Sequence, residues 1–191
     1  MHHNRMGIPM KNISFYFSFL FLCVCNSPVQ SAIQKDHKAM TPFNYKEQTE
    51  GFWRKHLSGE TLQVCYYHGT EAAKSGTYDH FYEKGTYYCA CCGGDHALYE
   101  SETKFDSGTG WPSFYQPIDG AIVERSDPHD KVRAWVGLAR TEVVCSRCER
   151  HLGHVFNDGP KPTGKRYCMN SAALIFVKAG DTPKRTFDIS A

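Results

Sequence analysis

The chain carries almost no surplus charge of either sign: 22 Lys and Arg stand against 20 Asp and Glu, a net +2 over 191 residues. A partner rich in phosphates selects for a basic surplus, so neither nucleic acid nor an anionic membrane is expected. Long apolar runs are scarce too. The most apolar stretch, NISFYFSFLFLCVC (12–25), is too short to span a bilayer comfortably. Strand-like runs do not alternate with long helical patterns, which argues against a parallel sheet. No internal repeat occurs beyond two Cys-x-x-Cys pairs. Disorder is excluded by the 14% aromatic content, which can bury ample apolar surface. What is left is one domain with a proper core.

Against these absences stand nine cysteines. The first residues account for two of them. MHHNRMGIPMK is polar to basic, with Arg5, Lys11 and no acid. The apolar run follows, and then NSPVQSA, with Val29 and Ser31 spaced as small residues before Ala32. That order is the one found in secretory signal peptides, here 1–31, and it predicts an exported protein, periplasmic or secreted. An uncleaved anchor is the competing reading. A lipoprotein site is disfavoured by bulky Leu22 and Val24 before Cys23 and Cys25. Cleavage leaves seven cysteines and no stable membrane association.

Residues 32–75 read as a helical segment. Thr41 suits an N-cap and Pro42 the first helical position. Trp53 and Leu57 share one face, and Gly59 ends the run. A second short helix is expected around Leu62 to Tyr67, stopping at Gly69. From Gly76 the texture changes to short runs such as GTYYCAC, TEVVC and RYCMNSAALIFV, bounded by turn signals. These predict an antiparallel β domain over 76–178, so the fold class is mainly β (α+β), with a polar tail at 179–191.

Cys89 and Cys92 form one Cys-x-x-Cys pair; Cys145 and Cys148 form the other. Two such pairs can give four thiolates to one tetrahedral ion, the pattern of a structural zinc site with one Zn2+ per chain. The 52 residues between them, from Gly93 to Val144, would make that ion a staple between distant hairpins. Two disulfides, or a redox-active pair, are the alternatives. CSRCERHLGH also permits a rival site in which His151 and His154 join Cys145 and Cys148. If the four cysteines hold the metal, both histidines are free for chemistry.

Cys168 has no such partner. It follows Lys165 and Arg166, and cations favour the thiolate, which is the nucleophile. In one continuous strand Cys168, Asn170, Ala172, Leu174 and Phe176 would share a face, leaving Cys168 and Asn170 at the open end of the core. The pattern is that of a nucleophile with a neighbouring amide.

KFDSGTGWPSF (104–114), CSRCERHLGHVFNDGPKPTG (145–164) and RYCMNSAALIF (166–176) together resemble the methionine-R-sulfoxide reductases, the MsrB family. The resemblance runs from His68-Gly69-Thr70-Glu71 to Phe176. The Gly-Cys-Phe-Trp-Cys signature of the reductase for the opposite epimer is missing. The resemblance implies two antiparallel sheets with short helices in front, and zinc on Cys89, Cys92, Cys145 and Cys148. It implies Cys168 as catalytic nucleophile, with His151, His154 and Asn170 beside it and Trp111 and Arg166 at the substrate. The implied activity is thiol-dependent reduction of methionine-R-sulfoxide in oxidised proteins or peptides, through a Cys168 sulfenic acid and with a thioredoxin-like reductant.

One departure matters. Many members of that family carry a resolving cysteine where this chain has Thr109. Of the two mature cysteines left over, Cys91 lies inside a Cys-x-x-Cys turn, so Cys65 is nominated as the resolving residue. Direct attack of an external thiol on the sulfenic acid is the alternative. A zinc-stapled β scaffold could also be a binding module without catalysis.

Overall fold

The computed structural model describes residues 43–189 except 136 and 138, so the signal-peptide reading and the Thr41–Pro42 helix start lie outside the described residues. Helix α1 runs Glu50–His56 and α2 Gly59–Cys65. Each begins on a hydroxyl cap: Thr49 accepts from the Phe52 N–H, Ser58 from the Thr61 N–H. Such caps satisfy otherwise orphaned donors. Gly59 therefore opens the second helix as well as following the first. Trp53 is fully buried, with the Arg150 guanidinium 5.1 Å from its ring centroid.

The described residues form nine strands in two antiparallel sheets. The smaller sheet has the order β2 (Ala97–Glu100), β1 (Gly85–Cys89), β9 (Leu174–Lys178). The larger runs β3 (Lys104–Phe105), β4 (Ser113–Phe114), β8 (Arg166–Met169), β7 (His151–Phe156), β6 (Thr141–Cys145), β5 (Ile122–Ser126). This is the mainly β, two-sheet class expected from the sequence. Between the sheets, Tyr99 stacks on Phe114 with ring centroids 4.4 Å apart, and Tyr87, Leu98 and Met169 are fully buried beside them.

One expectation fails. RYCMNSAALIFV is not a continuous strand: β8 ends at Met169, a single 3-10 turn spans Ser171–Ala173, and β9 joins the other sheet. Cys168 and Phe176 therefore belong to different sheets. The switch is fastened by Glu71, whose buried carboxylate accepts the Ser171 and Ala172 N–H groups at 2.8 and 2.9 Å. A strand cannot continue where side chains from another segment take its backbone donors.

Candidate active site and four-cysteine cluster

The larger sheet sets a row of polar side chains across five strands. In register, Ser113 of β4 faces Cys168 of β8, Cys168 faces His154 of β7, His154 faces Glu142 of β6, and Glu142 faces Arg125 of β5. Directly opposed residues project from the same face, with Cβ atoms about 4.5–5.5 Å apart. The row passes through the middle of a sheet whose other positions are largely apolar.

His151 joins that face through an irregularity. Three residues before His154, it would point the other way in a regular strand. The β6–β7 register shifts between Val143 and Val144, so Val144 pairs with His151 while Val143 pairs with Gly153. The extra residue, Leu152, turns His151 onto the face of Glu142, and the two imidazole centroids lie 5.2 Å apart.

Each imidazole is bound to a carboxylate by a different nitrogen. His151 Nδ1 lies 2.7 Å from Glu142 Oε1, and His154 Nε2 lies 2.8 Å from Asp127 Oδ2. Burial would raise both carboxyls. Hydrogen bonds from His151, His68 and Arg125 hold Glu142 well below the usual carboxylate range, and those from His154 and the His129 N–H hold Asp127 below it. Ionised carboxylates only accept, so His151 carries its proton on Nδ1 and His154 on Nε2. Burial, with Arg140 and His151 nearby, depresses His154 below the usual histidine value despite Asp127.

Cys168 is partly exposed, whereas the other six described cysteines are buried. Burial pushes its thiol up; the charge of Arg166 and hydrogen bonds from Thr109, Ser113 and Arg166 oppose this. Thr109 Oγ1 is 3.9 Å from the sulfur. Of the two neighbouring cations only Arg166 acts on it, gripping Asp158 with two 2.9 Å bonds and lying over Phe156. Lys165 turns instead to Glu124.

Trp111 is half-buried, its indole N–H donating to the Glu71 carbonyl at 3.1 Å. Asn170 is buried and engaged: its Oδ1 accepts the Glu71 N–H and its amide donates to the Leu152 carbonyl. It orders the front segment against β7 instead of standing free at an open end. Glu71, Asp127 and Glu142 were not singled out in the sequence. The available signal for Glu142 was a lone acid in the strand TEVVC.

Cys65 is fully buried in α2, and its thiol contributes to raising that of Cys91. Cys168, by contrast, is partly exposed with Thr109 Oγ1 beside its sulfur.

Cys89, Cys92, Cys145 and Cys148 form a buried cluster, all four sulfurs within 4.8 Å of one another, that could hold a metal ion. The nearest pairs cross between the two turns, Cys89–Cys148 at 3.7 Å and Cys92–Cys145 at 3.8 Å. A disulfide needs about 2.05 Å. A tetrahedron of sulfurs about 2.3 Å from zinc has edges of about 3.8 Å. The rival site with His151 and His154 is not formed, because both rings are directed to carboxylates. His68, Glu142 and His151 also gather their ligand atoms within 4.8 Å, but Arg125 already supplies the cation there at 2.8 Å.

A family model described as the SelR domain matches residues 57–178. The peptide methionine sulfoxide reductase MsrB of Leptospira interrogans is 46% identical over 136 residues, 71% of this chain and 98% of that protein. Its namesake from Pseudomonas paraeruginosa is 50% identical over 125 residues, 65% of this chain and 89% of that protein. The Acinetobacter baumannii protein of the same name is 47% identical over 127 residues, 66% and 86% of the two chains. The chain belongs to the MsrB family.

Proposed function

We propose that this protein is a peptide-methionine (R)-S-oxide reductase that repairs oxidised proteins, with Cys168 as nucleophile. Its relatives carry the reductase name. The observation that carries the reading is the position of the one partly exposed described thiol, directly opposite a carboxylate-bound imidazole.

The electron count closes. The Cys168 sulfur attacks the sulfoxide sulfur while the oxygen gains a proton. The oxygen then passes to Cys168: the transient sulfur–sulfur bond and the methionine sulfur–oxygen bond break as the Cys168 sulfur–oxygen bond forms, which releases methionine and leaves a sulfenic acid. The sulfoxide gains two electrons and the thiol loses two. Because Cys168 is held as a thiol, its proton must be handled; neutral His154, opposite Cys168, suits acceptance, and the bare Nε2 of the buried His151 suits taking that proton up and passing it on to the oxygen. Arg166 favours the charge that develops on sulfur. Trp111, fixed through its N–H, offers an apolar wall to the S-methyl group, and a fixed wall with fixed proton carriers distinguishes the R from the S epimer. Asn170 acts by holding Leu152 and Glu71 in place.

The four-cysteine cluster suits one structural Zn2+, held by Cys89, Cys92, Cys145 and Cys148, which would tie the turn after β1 to the turn after β6. For regeneration we favour an external dithiol of the thioredoxin type attacking the sulfenic acid directly, since Cys65 is fully buried and Cys168 is not. That thiol forms a mixed disulfide and releases water; its second thiol then frees Cys168. The order of charged, apolar and small residues over 1–31 supports export with cleavage, leaving a 32–75 front segment, a 76–178 catalytic domain and a 179–191 tail.

Turnover of peptide-bound R- and S-methionine sulfoxide, each with dithiothreitol, tests the reading. Reduction of the R epimer alone is expected, and loss of turnover by more than about 1,000-fold in Cys168→Ser with the fold intact. Substantial residual activity in that variant would move the chemistry elsewhere.

A further inference from the structure

Glu142 is fully buried, yet it binds three donors from three parts of the chain. Its Oε1 lies 2.7 Å from Nδ1 of both His68 and His151, and its Oε2 accepts the Arg125 Nε–H at 2.8 Å. His68 comes from the front segment, between α2 and Gly69, with a left-handed backbone (φ 57°). Its ring lies tilted against that of His129, 4.0 Å between centroids, and its side chain keeps 16% exposure.

His151 is the most enclosed imidazole of the group, its side chain 2% exposed. With Nδ1 engaged, Nε2 is left as a lone pair, and among the described residues nothing bonds it. Buried polar atoms are nearly always paired, so an unpaired acceptor beside a nucleophile marks a place reserved for a donor. What arrives there in turnover is the proton bound for the sulfoxide oxygen, and Nε2 can receive it only while the ring proton stays on Nδ1.

We infer that Glu142 is a positioning residue that locks His151 in its Nδ1–H tautomer, and that His68 is the second clamp on the same carboxylate oxygen. The inference rests on the proposed reductase reading for its kinetic readout. Arg125 fixes one oxygen; the two imidazoles share the other, so the carboxylate cannot rotate without breaking a bond. His68 thereby links the entry of the front segment to the orientation of a ring on β7. The charged and titratable groups facing His151 are Glu142, His68 and His154, with Arg125 behind the carboxylate.

Glu142→Gln keeps the shape but not the acceptor pair. With its oxygen drawn to Arg125, the amide NH2 faces the imidazoles, where Nδ1–H would meet another donor. The ring should change to the Nε2–H tautomer. A misassigned tautomer of this kind lowers turnover by about 10,000-fold in the serine-protease triad, and loss of a group that orients a ring costs about 10–100-fold in metal sites. We therefore expect a kcat loss of about 100-fold or more with KM changed less than about 3-fold. His68→Phe, which leaves Glu142 two donors, should lower kcat less, and Glu142→Asp should recover part of what Glu142→Gln loses.

The decisive readout is the side-chain 15N spectrum of His151 at neutral pH, assigned with a His151→Gln control. Wild type should show protonated Nδ1 and bare Nε2; Glu142→Gln should show the reverse. An unchanged tautomer, or an unchanged kcat, in a folded Glu142→Gln protein would overturn the inference. If that variant does not fold, His68→Phe and Glu142→Asp carry the test: a mixture of His151 tautomers with reduced kcat supports it, and wild-type spectra with wild-type kcat refute it. The spectrum needs no turnover, so a wild-type protein inactive on R-sulfoxide but showing the expected tautomers would reject the reductase reading alone.

Discussion

Cys168 and His154 stand directly opposite each other on adjacent antiparallel strands, the first partly exposed and the second bound through Nε2 to Asp127. The pairing is set by backbone register, so the distance between the proposed nucleophile and base is a property of the sheet. Anything that shifts β7 against β8 would shift the proposed chemistry.

Gly153 is where that register is most exposed to damage. It pairs with Met169, and a Cβ at this position would stand 2.1 Å from the Cys168 carbonyl oxygen. Gly153→Ala must therefore push the strands apart. The expected cost is about 1–3 kcal/mol in urea unfolding. The accompanying fall in kcat, at a temperature where the variant is fully folded, should exceed 10-fold.

The thiol itself gives a second prediction. Cys168 should be the first cysteine alkylated by iodoacetamide, because the other six described cysteines are buried. Burial sets its pKa above the ordinary thiol value, so the alkylation rate should keep rising beyond about pH 8.5. Arg166 lowers that pKa, so Arg166→Leu should move the rise to still higher pH. Rates by peptide mass spectrometry across pH 6 to 10 would check both.

Acid should weaken the fold through the same row of residues. Glu142, Asp127 and His154 all have folded pKa values below their unfolded ones. Each contribution is complete above the unfolded pKa and is lost as pH falls through the folded one. The loss should begin near about pH 6.5 with His154 and deepen below about pH 4.3 with Glu142. Thermal scans between pH 8 and 3 should show Tm falling in that order, with Glu142→Gln flattening the lower part.

For the cysteine cluster, metal analysis of the purified protein should give one zinc per chain. Cys89→Ser should lower both metal content and Tm, since the binding energy of a structural site is part of the folding energy. Intact mass without reductant should show all four thiols free of disulfides.

The sequence conveyed some of this well and some not at all. TEVVC reads as a strand because β-branched residues fill it, and it is β6, Thr141–Cys145. The paired cysteines read as one cluster because chemistry restricts what two Cys-x-x-Cys turns can do. RYCMNSAALIFV misled because its composition is strand-like throughout, while the bend at Asn170 is imposed by Glu71, about a hundred residues away in sequence. The shared face of His151 and His154 was equally hidden, since a three-residue spacing matches it only once a bulge is inserted. Glu142, Asp127 and Arg125 became visible when register aligned them with the histidines. The burial of Cys65 beside Cys91 follows from α2 packing inward, which no cysteine count reveals.

The most direct test of the whole account is a single-turnover experiment without reductant. The mature protein would be mixed with one equivalent of methionine-R-sulfoxide or its S epimer, then with dimedone, and every cysteine mapped. The account predicts one equivalent of methionine and dimedone on Cys168 with the R epimer, Cys65 remaining a free thiol, and no label with the S epimer. Methionine released without any oxidation of Cys168, or equal labelling by both epimers, would contradict it.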